Sequence, residues 1–137
     1  MKRYAIAAAI LAAPAAEAGS HGGSPDDDIH WIVTAEIAQP EEFDALVADM
    51  VASTEGEEGT IAYEWLRSGD TLHIYERYAD SEAAMVHLGN FGAFADRFTT
   101  VLSVTGLHVY GPASDALREA AAGFGAVHYD KVGGFFR

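Results

Sequence analysis

One histidine of this sequence lies where a helix packed on a core would carry an aliphatic side chain. His87 falls at helical spacing with Ala84, Leu88 and Phe91, within the segment YERYADSEAAMVHLGNFGAFADRF at positions 75–98. Histidine has an unperturbed pKa of about 6.5 and is therefore suited to accept or release a proton near neutral pH. A lone histidine on an apolar stripe is also commonly a core residue hydrogen-bonded to an acid or a tyrosine. The side chains around His87 determine which of the two roles it has.

A second candidate for proton chemistry is Glu76, which strand periodicity places on an otherwise apolar face. A buried carboxylate is unfavourable without a partner, so we expect Glu76 to contact His87, Arg97 or a tyrosine hydroxyl. Aromatic side chains near it could stack on a flat ligand or simply fill the core. They are Tyr63, Trp65 and Tyr78 on the same face, with Phe91 and Phe94 on the following helix.

Metal and nucleotide sites are not expected. The chain has no cysteine, and four of its histidines, His30, His73, His108 and His128, fall on different predicted strands without ligand spacing. The glycines of GPASDALREAAAGFG do not form a phosphate-binding pattern and indicate turns. The acidic runs DDD and EGEE are interpreted as solvated loops. The sequence thus predicts neither a metal nor another cofactor.

Composition predicts one globular domain. The chain has 137 residues, of which 50% are apolar and 21% charged, and its formal net charge is −13. Nucleic acids and anionic membranes bind positive surfaces, so this charge argues against both as partners.

The first residues differ from the rest. A basic start, MKRY, precedes the apolar run AIAAAILAAPAA and a small-x-small site at 16–18, which together are typical of an export signal. An alanine-rich leader without export is the alternative, which would leave the protein cytoplasmic. The run is too short to span a bilayer. We therefore assign residues 1–24 to a leader with a flexible tether, and residues 25–137 to a single domain with a C-terminal extension from about residue 112.

Hydrophobic periodicity predicts the order β-α-β-β-α-β followed by a small αβ appendage. The expected elements are a strand at 29–37, a helix beginning at Pro40, strands at 60–67 and 71–78, a helix after Asp80 or Ser81 that is interrupted at 89–92, a strand at 104–111, a short helix capped by Ser114 and a strand at 126–132. If Ser68-Gly69 is the hairpin loop, Trp65 pairs with Leu72 and Tyr63 with Ile74.

This order is that of the ferredoxin-like split βαβ fold, an α+β fold with an antiparallel sheet and both helices on one side. The other side of the sheet needs a cover, and a second copy of the chain would supply it. We therefore expect a homodimer that buries the face carrying Leu66, His73 and Tyr75.

Several short motifs resemble those of the antibiotic biosynthesis monooxygenase family of dimeric α+β barrels, including its quinol monooxygenase-like members. They are the turn Glu57-Glu58-Gly59, Tyr63, the strand end Glu76-Arg77-Tyr78 and His87. The resemblance spans roughly residues 30–105. This chain has Tyr78 where a tryptophan is usual and GNFG in place of a Ser-Pro type turn. Its first strand lacks the asparagine of the haem-degrading members, which argues against haem degradation.

The resemblance implies oxidation of a quinol or polycyclic phenol by O₂ without metal or flavin. Such a reaction needs a dry, aromatic-lined pocket and a group that accepts the substrate proton. By this resemblance His87 and Glu76 are the candidate catalytic residues. The alternative is a non-enzymatic dimeric α+β barrel that binds an aromatic small molecule, because the two functions share one fold.

Overall fold

The computed structural model describes residues 23–137. Its elements are β1 (Ile29–Ile37), α1 (Pro40–Glu55), β2 (Thr60–Ser68), β3 (Thr71–Tyr78), α2 (Ser81–Phe91), α3 (Ala95–Val101), β4 (Leu102–Tyr110), α4 (Asp115–Ala122) and β5 (Val127–Tyr129). Within this range, no helix is both long enough and apolar enough to cross a membrane. The predicted leader falls almost entirely outside the described residues, so export stays a prediction.

The strands form one sheet in the order β2-β3-β1-β4-β5. Strand β1 runs antiparallel to β3 and β4, and β2 runs antiparallel to β3. These four strands give the α+β, ferredoxin-like fold predicted from the sequence. The appendage adds β5, which pairs parallel to the outer side of β4. Only residues 127–129 pair in this way, so the last strand is shorter than the predicted 126–132.

Local sequence signals account for the helices. Pro40 occupies the first turn of α1, and the helix buries Phe43, Leu46 and Met50 at the predicted spacing. The Asp80 side chain accepts a hydrogen bond from the Ala83 amide and caps α2. The predicted interruption at 89–92 occurs slightly later, at 92–94, since α2 continues to Phe91 and α3 begins at Ala95.

The predicted register of the hairpin is wrong by two residues. Ser68 pairs with Thr71, so Gly69 and Asp70 form the loop, and Trp65 pairs with Ile74 rather than Leu72. The cause is that Gly69 takes the first loop position, with a φ of 60° that favours glycine. Because a two-residue shift preserves the alternation of faces, Tyr63 still lies on the same face as Glu76, now directly opposite it.

Candidate active site

A cavity of about 680 Å³ lies between the sheet and the helices. This volume is within the range of about 300–1,000 Å³ that is common for small-molecule sites. Apolar and aromatic side chains from β1, α2, α3 and β4 make up much of its wall, including Trp31, Val33, Leu88, Phe91, Phe98 and Leu107. His87, Glu76 and Tyr63 also line it. The cavity can therefore hold an apolar ligand against a small group of polar atoms.

His87 lies between two carboxylates. It is 5% exposed, and α2 directs it towards the sheet. Its Nδ1 is 2.9 Å from Glu57 Oε2, and its Nε2 is 3.4 Å from Glu76 Oε2. With Glu57 accepting a hydrogen bond from Nδ1–H, the neutral imidazole presents Nε2 as its basic atom. This arrangement can take up a proton at Nε2 and stabilise the resulting positive charge from both sides.

Glu76 is held by hydrogen bonds from two buried aromatic side chains. Its Oε2 accepts from Trp31 Nε1 and from the Tyr78 hydroxyl. The expectation that Glu76 contacts His87 or a tyrosine is confirmed, whereas Arg97 pairs with Asp49 instead. These donors fix the carboxylate on the cavity wall next to His87.

Glu57 is the site residue that the sequence interpretation placed wrongly. It belongs to the EGEE run that was expected to be solvated, yet it is only 8% exposed. Besides His87, it accepts hydrogen bonds from Thr60 Oγ1 at 2.8 Å and from Asn90 Nδ2 at 3.1 Å. The sequence signal for it was the acid-x-Gly turn. A Cβ on Gly59 would collide with Ala83, so this glycine lets the turn approach α2 and reach His87.

The pKa values of the three groups are shifted by their mutual contacts. Burial disfavours the charged imidazolium, but the hydrogen bond to Glu57 and the negative charges of Glu76 and Glu57 outweigh it and raise the pKa of His87 above 6.5. Burial would also raise the pKa of Glu57, yet the hydrogen bond and charge of His87 hold it below its ordinary value. At Glu76 burial prevails and the pKa is raised. His87 is therefore a stronger base than an isolated histidine.

Tyr63 contributes part of its side chain to the wall. Burial, reinforced by the charge of Glu76, raises the pKa of its hydroxyl, which stays protonated at neutral pH. Among the described residues, this buried hydroxyl has no hydrogen-bond partner. A buried hydroxyl without a partner is unfavourable by about 1–3 kcal/mol. The oxygen is itself buried, so Tyr63 presents other atoms of its side chain to the cavity.

Not every predicted ligand contact lies on the cavity wall. Tyr63 and Phe91 line it, but Trp65, Tyr78 and Phe94 do not. Trp65 packs edge-on against Phe43 and Phe98, with ring centroids 6.1 and 6.2 Å away. Tyr78 is fully buried beneath Trp31, and its hydroxyl reaches Glu76. Phe94 packs against the core cluster that contains Phe43. These three side chains support the wall from behind it.

Other wall residues were missed by sequence reasoning. Trp31, on the inward face of β1, was interpreted only as a strand residue. A register irregularity in β4 opposite Thr34 and Ala35 leaves Thr105 as an extra residue, and Ser103, Thr105 and Gly106 contribute polar lining there. Phe124 and Gly125, which follow α4, close another part of the wall. The sequence signal for the wall residues of β4 was the presence of polar residues within an otherwise apolar strand.

Metal binding finds no support in residues 23–137. That part of the chain contains no group of three or more histidine, cysteine, aspartate or glutamate side chains placed to hold a metal ion. Of the four strand histidines, His108 instead lies 3.1 Å from the Tyr129 hydroxyl.

Residues 33–95 match the family described as antibiotic biosynthesis monooxygenase. No curated protein matches the sequence. Among solved structures, MupZ from Pseudomonas fluorescens superposes with a TM-score of 0.75 at 24% identity, over 80% of this chain and 94% of MupZ. Rv0793 from Mycobacterium tuberculosis gives 0.56 at 23% identity, over 65% of this chain and 98% of that protein. SnoaB, a cofactor-independent oxygenase from Streptomyces nogalater, gives 0.56 at 16% identity, over 64% of this chain and 95% of SnoaB.

Proposed function

Since residues 33–95 place this chain in the antibiotic biosynthesis monooxygenase family, we propose that it is a cofactor-independent monooxygenase that oxidises a quinol or a polycyclic phenol with O₂. The observation that carries the proposal is the His87 imidazole, held between two buried carboxylates on the wall of a largely apolar cavity. The fold shared with SnoaB, which is a cofactor-independent oxygenase, adds support at the level of the scaffold.

The reaction begins with removal of a proton from the substrate hydroxyl. O₂ is a triplet and reacts slowly with closed-shell molecules, whereas an electron-rich phenolate can transfer an electron to it. The protein therefore needs to produce the phenolate and to exclude water around it. His87 Nε2 accepts the proton, and Glu57 and Glu76 stabilise the imidazolium.

The electron balance closes without an added reductant. One ring carbon forms a bond to oxygen, the O–O bond breaks, and the second oxygen atom leaves as water. The ring carbon loses its hydrogen, so a phenol becomes a quinone, and a quinol becomes a hydroxyquinone. The substrate supplies all four electrons that reduce O₂. The residues of this chain only move protons and stabilise charge during this sequence.

Oxygen uptake tests the proposal most simply. Chelator-treated protein would be mixed with a panel of quinols and naphthol-type phenols, and O₂ consumption would be followed together with quinone absorbance. We expect uptake of one O₂ per quinone formed, with no metal, flavin or nicotinamide added. Saturable ligand binding without O₂ uptake across the panel would instead support the non-enzymatic barrel.

We also propose that the chain acts as a homodimer through the sheet face opposite the helices. Leu66 on that face is 53% exposed in a single chain, and Tyr75 beside it is half-buried. The C-terminal Phe136 covers one end of the face, with its ring 5.9 Å from that of His30. A second sheet packed on the remainder would bury Leu66, His73 and Tyr75, and a stable contact of this kind exceeds about 2,000 Å² in total.

Sedimentation at micromolar concentration tests the dimer. We expect the mass of two chains for the wild type and a shift to monomer for Leu66→Glu, because a carboxylate in place of Leu66 would be buried in the contact without a partner. A wild-type monomer at these concentrations would contradict the proposal. Glu64→Gln, on the same strand and face, is the matched control and should sediment as the wild type.

A further inference from the structure

The C-terminal appendage, residues 112–137, packs against the elements that carry the site. Its helix α4 buries Leu117 and Ala121 completely or nearly so, at 0% and 1% exposure. Leu117 packs in the same cluster as Trp31 and Ala84, next to the catalytic candidates. This packing fixes α4 against β1 and α2.

Polar contacts fix the N-terminal end of α4, and strand pairing fixes the segment after it. Ser114 caps the helix by accepting from the Leu117 amide at 3.1 Å, and its own amide donates to Ser81 Oγ, the first residue of α2, at 2.9 Å. After the helix, β5 pairs with β4. The segment between α4 and β5 is therefore anchored on both sides, and its side chains have defined positions.

Phe124 occupies that segment and lines the cavity together with Gly125. Its ring lies edge-on to Phe91, with centroids 6.2 Å apart. Gly125 has a φ of 69°, which lets the chain turn from α4 into β5 directly after Phe124. The Phe124 ring is thereby held on the cavity wall next to Phe91, which is also a wall residue.

This part of the wall lies outside the family match, which ends at residue 95. Rv0793 and SnoaB are covered over 98% and 95% of their lengths by only 65% and 64% of this chain. The His87 centre belongs to the matched region, whereas Phe124 follows it in the C-terminal appendage. An added wall can change which ligand fits without changing the reacting groups.

We propose that Phe124 is a specificity-determining residue that limits the number of fused rings the cavity accepts and packs on the edge of the bound ring system. The proposal rests on the proposed function only in taking a fused-ring phenol as the ligand. It assigns the appendage a role in ligand selection, separate from proton transfer at His87.

Binding under nitrogen tests the proposal without turnover. The probes are 1-naphthol, 9-phenanthrol and 1-hydroxypyrene, with two, three and four fused rings, and their own fluorescence anisotropy reports binding. For Phe124→Ala we expect about 3- to 10-fold weaker binding of 1-naphthol, from the lost aromatic contact. Binding of 1-hydroxypyrene should become tighter, so the order of preference moves towards larger rings.

Two further variants keep the test decisive. Phe124→Leu retains an apolar side chain at the site should the alanine variant unfold, and it should show the same direction of change. Phe135→Ala removes an aromatic side chain that is 74% exposed and not on the cavity wall, and it should bind all three probes as the wild type does.

Unchanged ring preference in folded Phe124→Ala and Phe124→Leu would overturn the proposal, as would a wild type that binds none of the probes. If the probes bind and the preference shifts but no O₂ is consumed, the role of Phe124 stands and the monooxygenase proposal fails.

Discussion

Asp28 and Glu57 come from the two acidic runs of the sequence. Both are buried, but they bind different partners. Asp28 is 7% exposed and binds Arg77, whose Nε lies 2.6 Å from Asp28 Oδ2. Glu57 is 8% exposed and binds His87. A guanidinium keeps its charge throughout the physiological pH range, whereas an imidazole can change its charge there. Burial alone therefore does not identify a reactive acid, but the nature of its partner does.

The Asp28–Arg77 pair and the Glu57–His87 pair also lie in different surroundings. Arg77 is a quarter exposed and lies on the outer side of the sheet, where its guanidinium also stacks on Phe136. His87 faces the cavity and lies between two carboxylates. The first pair can only hold the edge of the fold together. The second can exchange a proton with a ligand.

Removing the imidazole should give the largest effect. We expect His87→Ala to reduce kcat for quinol oxidation by about 10²–10⁴-fold, the usual contribution of a general base. Circular dichroism and thermal unfolding would establish the folded fraction, so that kcat is expressed per folded protein. A kcat within a few-fold of the wild type would return His87 to the core and remove it from the mechanism.

Glu57→Gln should have an intermediate effect. The substitution keeps the shape and an acceptor for His87 Nδ1 but removes the negative charge that raises the pKa of His87. The base form of His87 would then be populated at lower pH, so the rise of kcat with pH should move towards acid. The value of kcat at its high-pH plateau should fall about 10- to 100-fold, which corresponds to the loss of one charge-assisted hydrogen bond. A pH profile that keeps its midpoint would show that Glu57 does not tune His87.

Asp28→Asn should affect stability and leave catalysis unchanged. Loss of the carboxylate leaves Arg77 without its partner, so the free energy of unfolding should fall by about 1–3 kcal/mol. Urea unfolding would measure this, and kcat of the folded variant should stay within about twofold of the wild type. A large loss of kcat with intact stability would break the distinction between the two acids.

The sequence predicted those features that depend on nearby residues. The stripe of α1 follows from spacing within one helix, and the break after α2 follows from the glycines and the asparagine of GNFG. The hairpin loop was misplaced because glycine can occupy more than one position of a tight turn. The pairing of Glu57 with His87 joins residues 30 positions apart and depends on the approach of a turn to α2, which Gly59 permits. Likewise, only the packed structure distinguishes Phe91 on the wall from Phe94 behind it.

The central claim is that His87 is the base of the site, with a pKa raised by its two carboxylate neighbours. An NMR titration of the imidazole resonances of the free protein tests it, with the His87 signal assigned by its loss in His87→Gln, alongside the pH dependence of kcat/KM, which reports groups of the free enzyme. We predict a His87 pKa above 6.5 and a kcat/KM that rises with pH through the same midpoint, because the neutral imidazole is the active form. A His87 pKa at or below 6.5, or a kcat/KM that does not follow the His87 titration, would contradict the account.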